Sequence, residues 1–125
     1  MYTTKEEENK TMATKARIGL LTKNHTAQTI EVAYEGYPEY TGELLKKHFT
    51  SSKEIRALLQ KGDIIQLEDS LDKIEHDDLQ GNAHQHRFIG SLSQLAEDTL
   101  ADYIYLFQES DRTWYLLEEG EMKTI

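Results

Sequence analysis

The sequence predicts an α+β fold, an antiparallel sheet built from N- and C-terminal hairpins packed against short helices. Three observations carry this expectation. Ile30, Val32 and Tyr34 alternate with Thr29, Glu31 and Ala33, the period-two pattern of a half-buried strand. Tyr103-Ile104-Tyr105-Leu106-Phe107 is rich in strand-forming types and is followed, after a polar Glu109-Ser110-Asp111-Arg112 turn, by Thr113-Trp114-Tyr115-Leu116-Leu117. Between these hairpins lie capped runs with helical spacing.

Composition narrows the partners. At 125 residues the chain is one domain with a modest core. The 23 acidic side chains outnumber the 14 basic ones, giving a net charge of −9. Direct binding to nucleic acid needs clustered Lys and Arg and is therefore not expected. The charge suits plain solubility, a basic protein partner, or a carboxylate mimic of nucleic acid. Without cysteine there is no disulfide frame, thiolate metal site or Cys nucleophile. No apolar run approaches ~18–20 residues and no signal-peptide pattern opens the chain, so no membrane partner and a cytoplasmic location are expected.

In chain order, residues 1–15 read as a disordered leader almost free of apolar content, with Met12-Ala13 an alternative start; residues 16–125 read as the single domain. Ala16 to Thr22 reads as a strand, Lys23 to Thr26 as a polar turn, and Thr29 to Tyr34 as the return strand of a hairpin. Next comes Tyr34-Glu35-Gly36-Tyr37-Pro38-Glu39-Tyr40-Thr41-Gly42, with the only proline and three of the seven tyrosines. Pro38 fixes its own φ and keeps Tyr37 out of helical space, while Gly36 permits positive φ or close backbone approach. Thr41 is the expected cap of a helix to about Phe49, with Leu44, Leu45, His48 and Phe49 near one stripe. Ser51 and Glu54 form a capping box for a second helix that turns Ile55, Leu58 and Leu59 inward and stops at Gly62.

Residues 63–67 suit a short strand or a packed loop, and 68–80 an acidic loop or loose helix with Leu71, Ile74 and Leu79 as contacts. Residues 81–90 are irregular or strand-like. Ser91 and Gln94 make another capping box, opening a helix to about Leu100 with Leu92 and Leu95 turned inward. Tyr103, Tyr105 and Phe107 then share one strand face, with Ile104 and Leu106 on the other. The residues after the last hairpin are polar.

Three sets of side chains bear on chemistry. His84 and His86 would share a strand face and, with His76 or an acidic neighbour, resemble a metal set, but such spacing is weakly specific, and neither metal nor cofactor is expected. Glu68-Asp69 and Asp77-Asp78 lie outside apolar runs and suit solvated faces better than acid–base work. No serine sits in a nucleophile elbow and no glycine-rich phosphate loop is present, so the expected protein is not an enzyme. The four arginines are Arg17, Arg56, Arg87 and Arg112. Arg87 adjoins Phe88, and Arg112 precedes Trp114. An arginine beside a ring suits a nucleotide-like ligand, since guanidinium clamps phosphate and a ring stacks on a base. Core packing of Phe88 and Trp114, with the arginines paired to carboxylates, accounts for the same residues.

The 34–42 stretch, with Leu44-Leu45 and His48-Phe49 after it, resembles a family of small phage proteins whose hairpin ends in a His-Trp-Asp-Gly-Tyr-Pro-type turn. Lys61-Gly62-Asp63-Ile64 is similar to that family's helix exit, and Tyr103 to Phe107 with Arg112-Thr113-Trp114-Tyr115 to its C-terminal hairpin. The likeness spans about residues 16–118. It departs at Ala33-Tyr34-Glu35, where the family has His-Trp-Asp, and is loose around Ala83 to Arg87. The family is similar to the first type of Thoeris anti-defence protein. The resemblance implies a non-enzymatic, oligomeric sponge that sequesters a cyclic nucleotide immune signal, a cyclic ADP-ribose isomer or a cyclic oligonucleotide. On residue type and local position, Arg56, Arg87 and Arg112 would then face phosphates, Phe88 and Tyr37 would stack, and Asn82 would read a base or ribose edge.

A rival expectation is an acidic inhibitor of a host defence protein, such as an anti-CRISPR, whose 68–78 and 118–121 carboxylates fill the basic nucleic-acid channel of a nuclease. Charge reversal at those carboxylates separates the two.

Overall fold

The computed structural model of the chain describes residues 14–22, 26–75, 88–91, 95, 101–118 and 121–125, with backbone alone at 88–91. Residues 1–13 of the expected leader lie outside the described residues. Its last two residues are tied in: Thr14 accepts from the Gly36 amide at 3.0 Å, and the Lys15 carbonyl accepts from Asp102 and Tyr103.

The strands are β1 (Ala16–Leu21), β2 (Thr26–Val32), β3 (Phe88–Ser91), β4 (Tyr103–Gln108), β5 (Thr113–Glu118) and β6 (Glu121–Thr124). They form one six-stranded sheet in the order β3-β2-β1-β4-β5-β6. The α+β class and both hairpins are as expected, and the sheet is mostly antiparallel. The hairpins themselves join through a parallel pair, β1 with β4, in which Ile18 lies opposite Tyr105. Strand β6 was read only as a polar end; its Met122 is the half-buried inward member of an otherwise exposed strand.

Helices α1 (Glu43–His48) and α2 (Ser52–Gln60) pack on one sheet face. That core joins Ile18, Leu20, Ile30 and Val32 of the first hairpin to Leu45, Phe49, Ile55 and Leu58 of the helices and to Tyr105, Phe107 and Trp114. The opposite face carries Leu21, Ala27, Ile104, Leu106 and Leu117, closed in part by the buried, helical Leu95. Of the helix expected over 91–100, Ser91 is the last residue of β3, and residues 92–94 and 96–100 lie outside the described residues. Both faces of β4 are therefore covered, and its alternation sorts Tyr105 and Phe107 from Ile104 and Leu106 as the sequence implies.

The capping box holds: Ser51 Oγ accepts from the Glu54 amide at 3.3 Å, and Glu54 Oε1 accepts in return from the Thr50 amide and Ser51 Oγ. Gly62 ends the helix at φ 78°, where a side chain would be strained. Asp63, 2% exposed, then accepts the Glu31 amide at 2.9 Å, and Ile64 bridges Val32 in parallel. Residues 63–67 are thus a loop stitched to the end of β2. Ile74 is buried and Leu71 half-buried around a single 3₁₀ turn, Leu71–Lys73; Leu79 lies outside the described residues.

Three local expectations are corrected. Thr41 caps no helix: the helical path starts at Pro38 as a π turn, Pro38–Gly42, and the buried Thr41 hydroxyl donates to the Glu35 carbonyl at 2.6 Å. His48 is exposed on the last turn of α1. Tyr34 was expected beside Ile30 and Val32 but is 39% exposed, because the chain leaves the sheet after Val32.

The 34–42 turn is fastened from below by Tyr105, fully buried, whose hydroxyl donates to the Gly36 carbonyl at 2.7 Å. Gly36 is required for close approach, since a Cβ there would sit 2.8 Å from Ala16 Cβ. Positive φ falls instead on Glu35, at 60°. Removing the hydroxyl by Tyr105→Phe should cost about 1–3 kcal/mol in urea unfolding, because the buried Gly36 carbonyl loses its partner. Burial pushes the Tyr105 phenol far above its usual value. A pKa raised in the folded state gives stability that is whole below about pH 10, the unfolded value, and lost as pH rises beyond it. Melting temperature should therefore fall above pH ~10, and less steeply in Tyr105→Phe.

Candidate functional site

At the far end of β4 the hairpin turn is built by its own polar side chains. The Arg112 amide closes it onto the Gln108 carbonyl at 2.8 Å. Asp111 is held twice on one oxygen, by the Tyr115 hydroxyl at 2.5 Å and by Gln108 Nε2 at 3.2 Å. That bond raises the Tyr115 phenol, since the neighbouring carboxylate opposes ionisation. Arg112 takes a left-handed backbone, φ 55°, and is exposed; no described residue forms a hydrogen bond or ion pair with its guanidinium.

Helix α2 reaches the same turn. It buries Ile55, Leu58 and Leu59 and leaves Arg56 on its outer side. Arg56 Nη2 bonds Glu109 Oε2 at 2.7 Å across the surface, with 55% of the arginine side chain and 26% of the glutamate side chain exposed. Two of the arginines expected to face phosphate, Arg56 and Arg112, thus stand on the helix and on the turn that it touches. As one of the open expectations had it, Arg56 pairs with a carboxylate. Trp114 is core: it lies edge-on to Phe107 at 5.3 Å and donates Nε1–H to the Phe49 carbonyl at 2.8 Å.

Tyr37 is not part of this cluster. Gly36 bonds Thr14 beside the start of β1, whereas Glu109 bonds Leu21 at its end. The six steps of strand from Lys15 to Leu21 span roughly 20 Å. Asn82 and Arg87 lie outside the described residues, as do His76, His84 and His86. Phe88 opens β3 opposite Thr29, with only its backbone described.

Around Tyr37 the charge is negative. Its hydroxyl donates to Glu35 Oε1 at 2.7 Å, and its ring lies 6.4 Å from that of Tyr40. Tyr40 donates to the Leu67 carbonyl at 2.7 Å and accepts from Gln66 Nε2 at 3.1 Å. The bond to Glu35 raises the Tyr37 phenol most, and Glu39 adds to it; burial raises Tyr40, with the Glu68 and Glu35 charges adding. Two surface pockets lined by described residues hold more carboxylate than cation. One, about 260 Å³, is lined by Ile65, Gln66, Glu68, Lys73 and Glu75. The other, about 270 Å³, is lined by His48, Phe49, Glu54, Asp69, Ser70 and Leu71. Lys73 is already paired with Asp69 at 2.9 Å. Among the described residues no three His, Cys, Asp or Glu side chains are placed to share a metal ion, and no helix is long and apolar enough to cross a membrane.

Sequence reasoning missed Glu109, Asp111 and Tyr115, which it read only as turn and strand. The one signal was the spacing: Asp111 lies in the turn four residues before Tyr115, within side-chain reach once the hairpin closes. No family model, curated protein or solved structure matches the chain.

A left-handed arginine costs about 1–2 kcal/mol over glycine in the same conformation. Arg112→Gly should therefore raise stability in denaturant unfolding by about 0.5–1 kcal/mol, the glycine's extra freedom when unfolded offsetting part of the gain. A loss instead would mean that the Arg112 side chain supports the fold.

Proposed function

We propose that the protein is a non-enzymatic phage counter-defence protein that binds and sequesters a cyclic nucleotide immune signal in the infected bacterial cell, a cyclic ADP-ribose isomer or a cyclic oligonucleotide. The observation that carries this reading is the meeting of Arg56 and the Arg112 turn at one end of the sheet. Both residues suggest themselves as phosphate ligands before any geometry is known, and chain distance alone gives Arg56 no reason to meet the turn that carries Arg112. Guanidinium binds phosphate in bidentate fashion. The Arg56–Glu109 pair is exposed, and pairs of that kind contribute about 0–1 kcal/mol, so its exchange for a phosphate costs little stability. Sequestration asks for slow release rather than bond-making groups.

Tyr37 cannot stack on a ligand held by Arg56 and Arg112 of its own chain. A homo-oligomer supplies the missing geometry, with the tyrosine turn of one copy set against the arginine end of another. The outer edges of β3 and β6 are unpaired within the described sheet and offer the means.

The test is a thermal-shift and calorimetric titration with cyclic ADP-ribose isomers and cyclic di- and trinucleotides. Ligand at about 100 times its Kd should stabilise the protein by about 2.7 kcal/mol. Arg56→Ala or Arg112→Ala should weaken binding at least tenfold, by loss of a charge-assisted contact worth about 1.5–3 kcal/mol. The bound molecule should be recovered uncleaved after denaturation. A flat response across the panel would sink the proposal.

One observation favours the second reading, an acidic inhibitor of a basic nuclease channel. Glu35, Glu39 and Glu68 act together on Tyr37 and Tyr40, with no cation among the acting charges. The clusters expected to carry that role are partly neutralised, Asp69 by Lys73 and Glu118 by Lys123 at 3.1 Å. On this reading Glu39→Lys with Glu68→Lys abolishes nuclease inhibition; on the first, it spares ligand capture.

A further inference from the structure

We infer that Glu109 is a built-in competitor of the arginine site, and that Tyr115 is the positioning residue that keeps the second carboxylate of the turn from joining it. This rests on reading Arg56 and Arg112 as an anion site. The turn carries two carboxylates, Glu109 and Asp111, and one arginine; α2 brings the other arginine. Left to themselves, two carboxylates and two guanidiniums would pair off and leave nothing for a ligand. The two carboxylates are instead held differently. Glu109 sits on Arg56 at 2.7 Å, where the carboxylate takes the place a phosphate oxygen would take. Asp111 is held on the strand side by Tyr115 and Gln108, and its carbonyl by the Thr113 hydroxyl at 3.0 Å. Arg112, next in the chain, has a left-handed backbone, is exposed and is engaged by no described carboxylate.

The consequence is selectivity by charge. An incoming anion must either displace Glu109 from Arg56 or bind beside its charge, and a singly charged carboxylate gains little by either route. A diphosphate brings more charge to the arginine-bearing turn, so it gains where acetate does not. Glu109 thereby sets a threshold that passes pyrophosphate-bearing ligands and rejects common monoanions.

Inorganic pyrophosphate and acetate, titrated calorimetrically into the full chain, test this. Glu109→Gln should bind pyrophosphate about tenfold tighter and acquire acetate binding, the order expected for removing one opposing charge at a surface. Tyr115→Phe should weaken pyrophosphate several-fold by freeing Asp111 to reach Arg112, and Tyr115→Phe with Asp111→Asn should regain it. A merely structural tyrosine would not be rescued by neutralising its partner. Melting curves of each variant identify any that fail to fold, and the conservative Glu109→Gln, at a surface pair, carries the decision. Unchanged or weaker pyrophosphate binding in Glu109→Gln, with the wild type binding normally and Arg56→Ala impaired, overturns this inference alone. No pyrophosphate binding in the wild type, or binding indifferent to Arg56→Ala, overturns the arginine site and this inference with it.

Discussion

The parallel pairing of β1 with β4 is the constraint on which the rest of the structure depends. Each hairpin is local and could close by itself, but an isolated hairpin is marginal in water. Setting Ile18 against Tyr105 and Leu20 against Phe107 makes one sheet out of two and places both strands at its centre. The two helices between them in sequence then pack over one of its faces. Tyr105 can reach Gly36, and Trp114 can reach Phe49, only because that pairing is in register. The pairing is also what separates the two ends of the molecule: the tyrosine turn at the start of β1 and β4, and the arginine-bearing turn at the finish.

Those ends are built on opposite principles. The 34–42 turn is over-determined. Its backbone is held by Tyr105, Thr14 and the Thr41 hydroxyl, which keeps Glu35 in a left-handed conformation that a free chain would rarely visit. Its surroundings are acidic and aromatic. The 109–112 turn is held mainly by side chains of the turn and its own strands, with Arg56 of α2 and Leu21 of β1 each bonded to Glu109, and it carries its positive φ on an arginine. The strained residue there is exposed and charged, whereas Glu35 is half-buried.

Much of the architecture was legible in the residues. Alternation in 103–107 sorted the two faces of β4 correctly because both are buried and side-chain period is fixed by the strand. Ser51, Glu54 and Gly62 marked the bounds of α2 because capping depends on atoms three or four residues apart. Thr41 misled for a related reason: its hydroxyl suits a cap, but a carbonyl six residues back was nearer once the turn had folded. Tyr34 continued an alternating pattern past the point where the strand ended, and alternation carries no sign of where pairing stops. Of the candidate site, Arg56 and Arg112 could be named by type, whereas Glu109, Asp111 and Tyr115 could not, since their importance lies only in which atoms they meet.

By itself the sequence determined the acidic surface, the α+β class, the two hairpins, the capped helix and the tyrosine-rich turn, all of which follow from composition or from interactions between residues close in the chain. Tertiary structure alone decided that the hairpins join in parallel, that Gly36 serves close packing while Glu35 takes the positive φ, and that Arg56 meets the turn of Arg112 while the turn of Tyr37 lies at the other end of β1. Each of these depends on contacts between residues remote in sequence, and the pattern of polar and apolar residues specifies that such contacts form without specifying which partner each residue finds.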